Sequence, residues 1–216
     1  MFRILHAALF SLALIMPAAA EDTPFSSDLV TFGSALPATA DDTRDDGILR
    51  DETGRPVTHP LIGMPLPDFD APTADGGVFD SAQLEGQWTI LVAWGVWCHD
   101  SRNDMDNIAA VASRAHDTEN LEFVSVHVPW TPDHLDTMYR NYGSVSGYFD
   151  ARGVSFPTIL DETTDLRAAL QIQWTPTYLV IGPDLKVRGY RTDLSRSGDG
   201  AVDRFLGRVA LLRDAG

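Results

Sequence analysis

Trp88-Thr89-Ile90-Leu91-Val92-Ala93-Trp94-Gly95-Val96-Trp97-Cys98-His99-Asp100-Ser101 is the stretch that decides the fold. Trp88 to Trp94 is an apolar run containing β-branched residues, the pattern of a strand covered on both faces. From about His99 to His116, Met105, Ile108, Ala109 and Ala112 recur at helical spacing and predict an amphipathic helix. Cys98 therefore stands where a strand hands over to a helix, against unpaired N–H groups and the positive end of the helix dipole, which stabilise a thiolate. It is the only cysteine of the chain. A Cys-x-x-Cys pair can alternate between dithiol and disulfide within one molecule, but Cys98 with Ser101 can form only intermolecular bonds.

Outward from this junction the chain alternates strands and helices. Pro67 to Ala71 and Val78 to Asp80 flank Ala74-Asp75-Gly76-Gly77 and predict a hairpin before the core, followed by a short turn from Ser81 to Leu84. Leu121 to Val128 is a second buried strand. Thr131-Pro132-Asp133 opens a further helix, with Pro at a helix-start position. The Gly- and Ser-containing stretch that follows, through Gly153, carries no assigned element. Pro157 to Leu160 predicts a short strand, Thr164 to Gln171 a short helix, and Thr177 to Ile181 a strand pairing with Lys186 to Tyr190. Gly200 to Leu212 closes the chain as an amphipathic helix. The order implies an α/β fold, a mixed central sheet flanked by helices with an N-terminal hairpin extension.

With 216 residues, 44% hydrophobic and 22% charged, the chain is expected to form one globular domain with an appendage. The formal charge of -15 argues against nucleic acid and against anionic membrane surfaces, both of which repel such a protein. Residues 1–20 read as a secretory signal: Arg3, an apolar run from Ile4 to Met16 too short to span a bilayer, Pro17, then Ala18-Ala19-Ala20. Residues 21–60 read as an acidic, loosely ordered tether and 61–216 as the domain. Asp41-Asp42-Thr43-Arg44-Asp45-Asp46-Gly47 resembles a calcium loop, but Arg44 and Thr53 fall at ligand positions and defeat it. Export would place Cys98 in an oxidising compartment without an internal partner.

The whole arrangement resembles the thioredoxin-like superfamily, most closely its exported TlpA/ResA type, over about residues 61–213. The likeness rests on the hairpin, on Trp94-x-x-Trp97-Cys98-x-x-Ser101 at the strand-to-helix junction, on Phe156-Pro157-Thr158-Ile159-Leu160-Asp161, and on Thr175-Pro176-Thr177 before the terminal hairpin. It implies that Pro176 follows a cis peptide and faces Cys98, and that Thr175 offers backbone groups to an extended substrate. It implies also that Trp97 is a flat aromatic exposed beside the sulfur, whereas Trp94 reads as a core aromatic. Two positions depart from the pattern. Ser101 replaces the resolving cysteine, and Val92 stands where thioredoxins carry a buried acid. Asp104 stands where TlpA/ResA-like proteins have a glutamate and is a candidate for proton transfer.

His127, with Trp130, closes the second buried strand and is expected to converge on Thr175-Pro176, since ligands of open α/β sheets gather at the carboxyl ends of the strands. It is the other candidate for proton transfer. Protonated His99 would favour a thiolate at Cys98, and Asp100 would oppose it. The expected function is a monothiol thiol–disulfide oxidoreductase: catalytic residues Cys98, Ser101 (hydrogen-bonding the sulfur) and Pro176, substrate contacts Trp97, His99 and Thr175. No cofactor or metal is implied, and the partner is an exported thiol or disulfide protein or a small thiol, with no stable membrane insertion once the signal is cleaved. The alternative is a non-catalytic binding module for an exported partner. A peroxidase is disfavoured because peroxiredoxins place Thr or Ser three residues before the reactive cysteine, where this chain has Gly95.

Overall fold

The computed structural model describes residues 48, 50–51 and 53–215. Residues 1–47, which hold the expected signal and most of the expected tether, lie outside them. The hairpin is β1 (Asp70–Pro72) and β2 (Val78–Asp80), paired antiparallel, with Gly76 supplying the left-handed turn residue. The main sheet comprises β3 (Trp88–Trp94), β4 (Leu121–His127), β5 (Thr158–Leu160), β6 (Thr177–Ile181) and β7 (Val187–Thr192). Its order is β5-β4-β3-β6-β7. β3, β4 and β5 run parallel, while β6 and β7 run antiparallel to their neighbours. Apart from Thr89 the central strand β3 is apolar, as a strand in a sheet flanked by helices requires: from Ile90 to Trp94 every residue is fully buried.

The helices are α1 (His99–Asn103), α2 (Met105–His116), α3 (Leu135–Tyr142), α4 (Val145–Arg152), α5 (Asp165–Ala169) and α6 (Ala201–Ala215). Two hydrophobic clusters divide the core. One joins Ile90, Val92 and Trp94 to Met105, Ile108, Tyr148, Phe149, Tyr178 and Phe205; the other joins Leu91 and Ala93 to Val126, Ile159, Leu170, Leu179 and Tyr190. Successive residues of β3 feed opposite clusters, as a pleated strand requires. Trp94 is enclosed by Tyr148 and Phe149 at 5.7 and 5.6 Å, and its indole N–H donates to Ser125 Oγ.

Three local differences from the sequence reading have physical causes. The helix expected from His99 to His116 is interrupted at Asp104, whose carboxylate is held by groups from a distant part of the chain. The stretch before Gly153 forms α4, with Ser144 accepting from Gly147 N–H at the start and Gly153 left-handed at the end. Residues 50, 51 and 53–60, read as the end of the tether, are seated on the domain. Arg50, Arg55, Val57 and His59 are buried, the Tyr190 hydroxyl donates to Pro56 O, and the His59 ring lies 5.2 Å from that of Tyr190.

Candidate active site

β3 leaves the core at Trp94, and Gly95-Val96-Trp97 carries the chain to α1, with Cys98 as its N-cap residue in extended conformation. The Cys98 N–H donates to Gly95 O at 3.0 Å and its carbonyl accepts from Arg102 N–H at 3.1 Å. Cys98 is half-buried, and its thiol donates to the Thr175 carbonyl at 3.3 Å. The Thr175–Pro176 peptide is cis. The loop before β6 is thereby set directly against the sulfur, although 77 residues separate the two partners.

The turn from strand to helix is held from every side. Ser101 is fully buried, and its hydroxyl accepts from Gly95 N–H at 3.2 Å. This corrects the expectation that Ser101 would hydrogen-bond the sulfur: the strand ends at Trp94, Gly95 N–H needs an acceptor, and the thiol turns instead to Thr175. Val96 N–H donates to His127 Nε2 at 3.3 Å, and Arg102 Nη1 donates to Val96 O at 2.9 Å. The Trp97 indole N–H donates to Val128 O at 2.7 Å. Gly95 is required by this packing, since a Cβ there would overlap Trp97 Nε1 and lie 2.8 Å from both Trp97 Cδ1 and Val128 O.

His127 is buried, and loss of hydration holds its pKa down to about 4. Its Nε2 accepts a hydrogen bond, so the neutral ring carries its proton on Nδ1. It holds Val96 in place rather than meeting the sulfur. His99 is exposed, 3.6 Å from Asp100 and hydrogen-bonded to Asn103.

Asp104 is fully buried behind α1. One carboxylate oxygen accepts from Asn107 Nδ2 at 2.7 Å and Ser195 N–H at 2.6 Å; the other accepts from Tyr178 OH at 2.7 Å and Leu194 N–H at 3.0 Å. Burial pushes its pKa up to about 6 against the pull of the Tyr178 and Asn107 donors, with Asp193 adding a raising charge. Tyr178, Asp193 and Arg55, which lies 3.8 Å from Asp193, surround this carboxylate system and were not singled out in the sequence. They come from positions too distant along the chain for any local signal. Val92, fully buried in the core, supplies no acid.

Trp97 is half-buried, with the rings of Trp130 at 5.7 Å and His134 at 5.5 Å beside it. The structure thus brings Cys98, Trp97, Thr175 and Pro176 together at the ends of β3 and β4. Ser101 and His127 lie beneath as supports, and Asp104 lies behind the helix break. Among the described residues no group of three or more His, Cys, Asp or Glu is arranged to hold a metal, and no helix is long and apolar enough to cross a membrane.

The comparisons with known proteins bear on the family and fold that carry this thiol. The AhpC/TSA family model covers residues 62–190, more than half of the chain, including Trp97, Cys98, Thr175 and Pro176. The chain belongs to the AhpC/TSA family. Within reach of this family, the thiol-disulfide oxidoreductase ResA of Bacillus subtilis is 24% identical over 125 residues, 58% of this chain. The match spans 64% of that relative's length. Among solved structures, a putative thiol:disulfide interchange protein DsbE from Chlorobium tepidum shares 16% identity at a TM-score of 0.56, covering 72% of this chain and 98% of the other. A putative protein disulfide isomerase from Bacteroides thetaiotaomicron shares 19% identity at a TM-score of 0.55, covering 70% and 89%. These likenesses show that this AhpC/TSA member has the thioredoxin-like fold, a mixed five-stranded sheet flanked by helices.

Proposed function

We propose that the protein is an exported monothiol thiol–disulfide oxidoreductase that works through mixed disulfides at Cys98. The observation that carries this reading is the Cys98 thiol at the start of α1 against the Thr175 carbonyl and the cis Thr175–Pro176 bond, with a serine three residues on. The Cys98 thiolate attacks one sulfur of a partner disulfide. A bond forms between Cys98 Sγ and that sulfur, and the other partner sulfur leaves as a thiolate that takes up a proton. Ser101 has no sulfur to resolve the adduct, so a second, external thiolate attacks it and restores Cys98. The disulfide is the oxidant and the external thiol the reductant. Export is supported by the basic start, short apolar run and small residues of 1–20.

Pro176 and Thr175 line the face on which the mixed disulfide forms, Trp97 flanks it, and His127 and Ser101 are positioning residues for the loop between them. His99, exposed beside the sulfur, can touch a bound partner. Gly95 occupies the position where a peroxidase of the family would need a hydroxyl.

The test is reduction of a peptide disulfide in the presence of an external monothiol, with mass analysis of the protein after rapid acid quenching. Wild type is expected to turn over and to carry the peptide on Cys98 during the reaction. Equal turnover by Cys98→Ala would overturn the proposal. A stable adduct that the external thiol does not release would instead assign the chain to covalent capture of a partner, the binding-module alternative.

A further inference from the structure

The rim of Cys98 on the β4 side is made of aromatic rings and one arginine. Trp97, pinned through Val128 O, meets Trp130, and the guanidinium carbon of Arg167 lies 4.3 Å from the Trp130 ring centroid. Trp130 is 49% exposed, while Trp94 is wholly buried. Arg167 sits on α5, whose first turn is held by Asp161: that carboxylate accepts from Leu166 N–H at 3.3 Å and from Arg167 N–H at 2.7 Å. The acid electrostatically coupled to the guanidinium is therefore turned toward the backbone. Among the described residues no carboxylate lies within 4.0 Å of the Arg167 guanidinium.

The other arginines around the site are engaged. Arg102 donates to the Val96 and Trp97 carbonyls, Arg55 faces Asp193, and Arg152 faces Asp106. In a chain with 31 acidic and 16 basic side chains, a guanidinium left without a carboxylate on the aromatic rim beyond Trp97 calls for a partner. The guanidinium over the Trp130 ring makes a cation–π contact, and a guanidinium engaged in this way keeps N–H donors that can receive a carboxylate in bidentate fashion.

We propose that Trp130 and Arg167 form a specificity subsite that selects disulfide partners carrying an acidic residue near the exchanging cysteine in an extended segment. The inference rests on the exchange reaction at Cys98 proposed above. The Trp130 ring lies 5.7 Å from that of Trp97, the neighbour of Cys98, and Arg167 a further 4.3 Å beyond it, so the proposal places the acidic residue roughly three residues from the partner cysteine at about 3.3 Å per extended residue. Trp130 receives the apolar stem of that segment, and Arg167 receives the carboxylate. The net negative charge of the protein repels acidic peptides in general, so the subsite acts as a local exception in an unfavourable field.

The test uses capped cysteine peptides activated as 2-thiopyridyl disulfides, with Glu, Gln or Lys three residues from the cysteine on either side. Attack by the Cys98 thiolate forms the protein–peptide disulfide and releases pyridine-2-thiolate, which takes up a proton to give 2-pyridinethione, followed by absorbance. The measured quantity is the Glu-to-Gln rate ratio in wild type divided by that in Arg167→Gln. For an exposed ion pair the expected value is about threefold to fivefold, shrinking with added salt. Trp130→Ala is expected to lower the wild-type ratio in the same direction, because the guanidinium loses its support. The Gln peptide, reacting within about twofold of wild type in Arg167→Gln, controls for folding and thiol reactivity. Equal Glu-to-Gln ratios in wild type and Arg167→Gln overturn the subsite. Absence of Cys98-dependent release with every peptide instead overturns the exchange reaction.

Discussion

Replacing His127 with Gln tests whether the buried ring that holds Val96 is neutral, as burial dictates. The ordinary histidine pKa of 6.5 falls to about 4 in the fold. That difference corresponds to about 3 kcal/mol of linkage. Between pH 6.5 and 4 the unfolded chain binds a proton that the native ring refuses. This contribution to stability is therefore complete above pH 6.5, is lost as pH falls toward 4, and is constant below. Glutamine has no such titration and can offer an oxygen to Val96 N–H, but it forfeits the edge contact with Trp94 at 5.0 Å. His127→Gln is expected to be destabilised at pH 7.5 and to approach wild type as pH falls, the difference shrinking by about 3 kcal/mol by pH 4. His59, whose pKa burial also lowers to about 4, is present in both proteins and cancels from the difference. Urea unfolding followed by tryptophan fluorescence from pH 4 to 7.5 measures it, and NMR titration of the ring reports its midpoint. A difference constant with pH, or a native midpoint near 6.5, would refute the reasoning.

Two more perturbations separate the supports of the site. Asp104→Asn is expected to tilt the same urea series the opposite way. The native pKa, raised from 3.8 to about 6, makes wild type lose about 3 kcal/mol as pH rises through that window, and asparagine does not. Relative to wild type the variant should gain that amount between pH 4 and 7, from a start lowered by the stranding of Leu194 N–H; an unchanging difference would mean Asp104 does not titrate there. Gly95→Ala forces its Cβ against the Trp97 indole and Val128 O, so the Trp97–Val128 hydrogen bond breaks. The expected loss is about 2–3 kcal/mol in urea unfolding with a shifted tryptophan emission, and wild-type stability with unshifted emission would contradict it.

Much of the architecture was legible because its signals are local. The apolar run of β3, the helical spacing after Cys98, the turn residues of the hairpin and the closing amphipathic helix each lie within one short window, and the structure places those elements there. α4 was not legible: Val145, Tyr148 and Phe149 have helical spacing, but eight residues containing Ser146 and Gly147 give a weak pattern. The break at Asp104 was not legible either, because the groups that hold its carboxylate lie at Tyr178, Leu194 and Ser195.

The sequence by itself determined that the one cysteine follows a buried strand and opens a helix, and that no second sulfur stands beside it, since both follow from residue type and spacing. Tertiary structure alone decided what each neighbour does. Ser101 turns to Gly95, His127 to Val96, the thiol to Thr175, and Arg167 to the face of Trp130. The reason is physical: a strand or helix is specified by the period of its own side chains, whereas a hydrogen bond or ring contact depends on which distant segments the sheet order brings together. With β6 beside β3 and β5 beyond β4, the cis-proline loop and the start of α5 arrive at the end of the sheet where Cys98 stands.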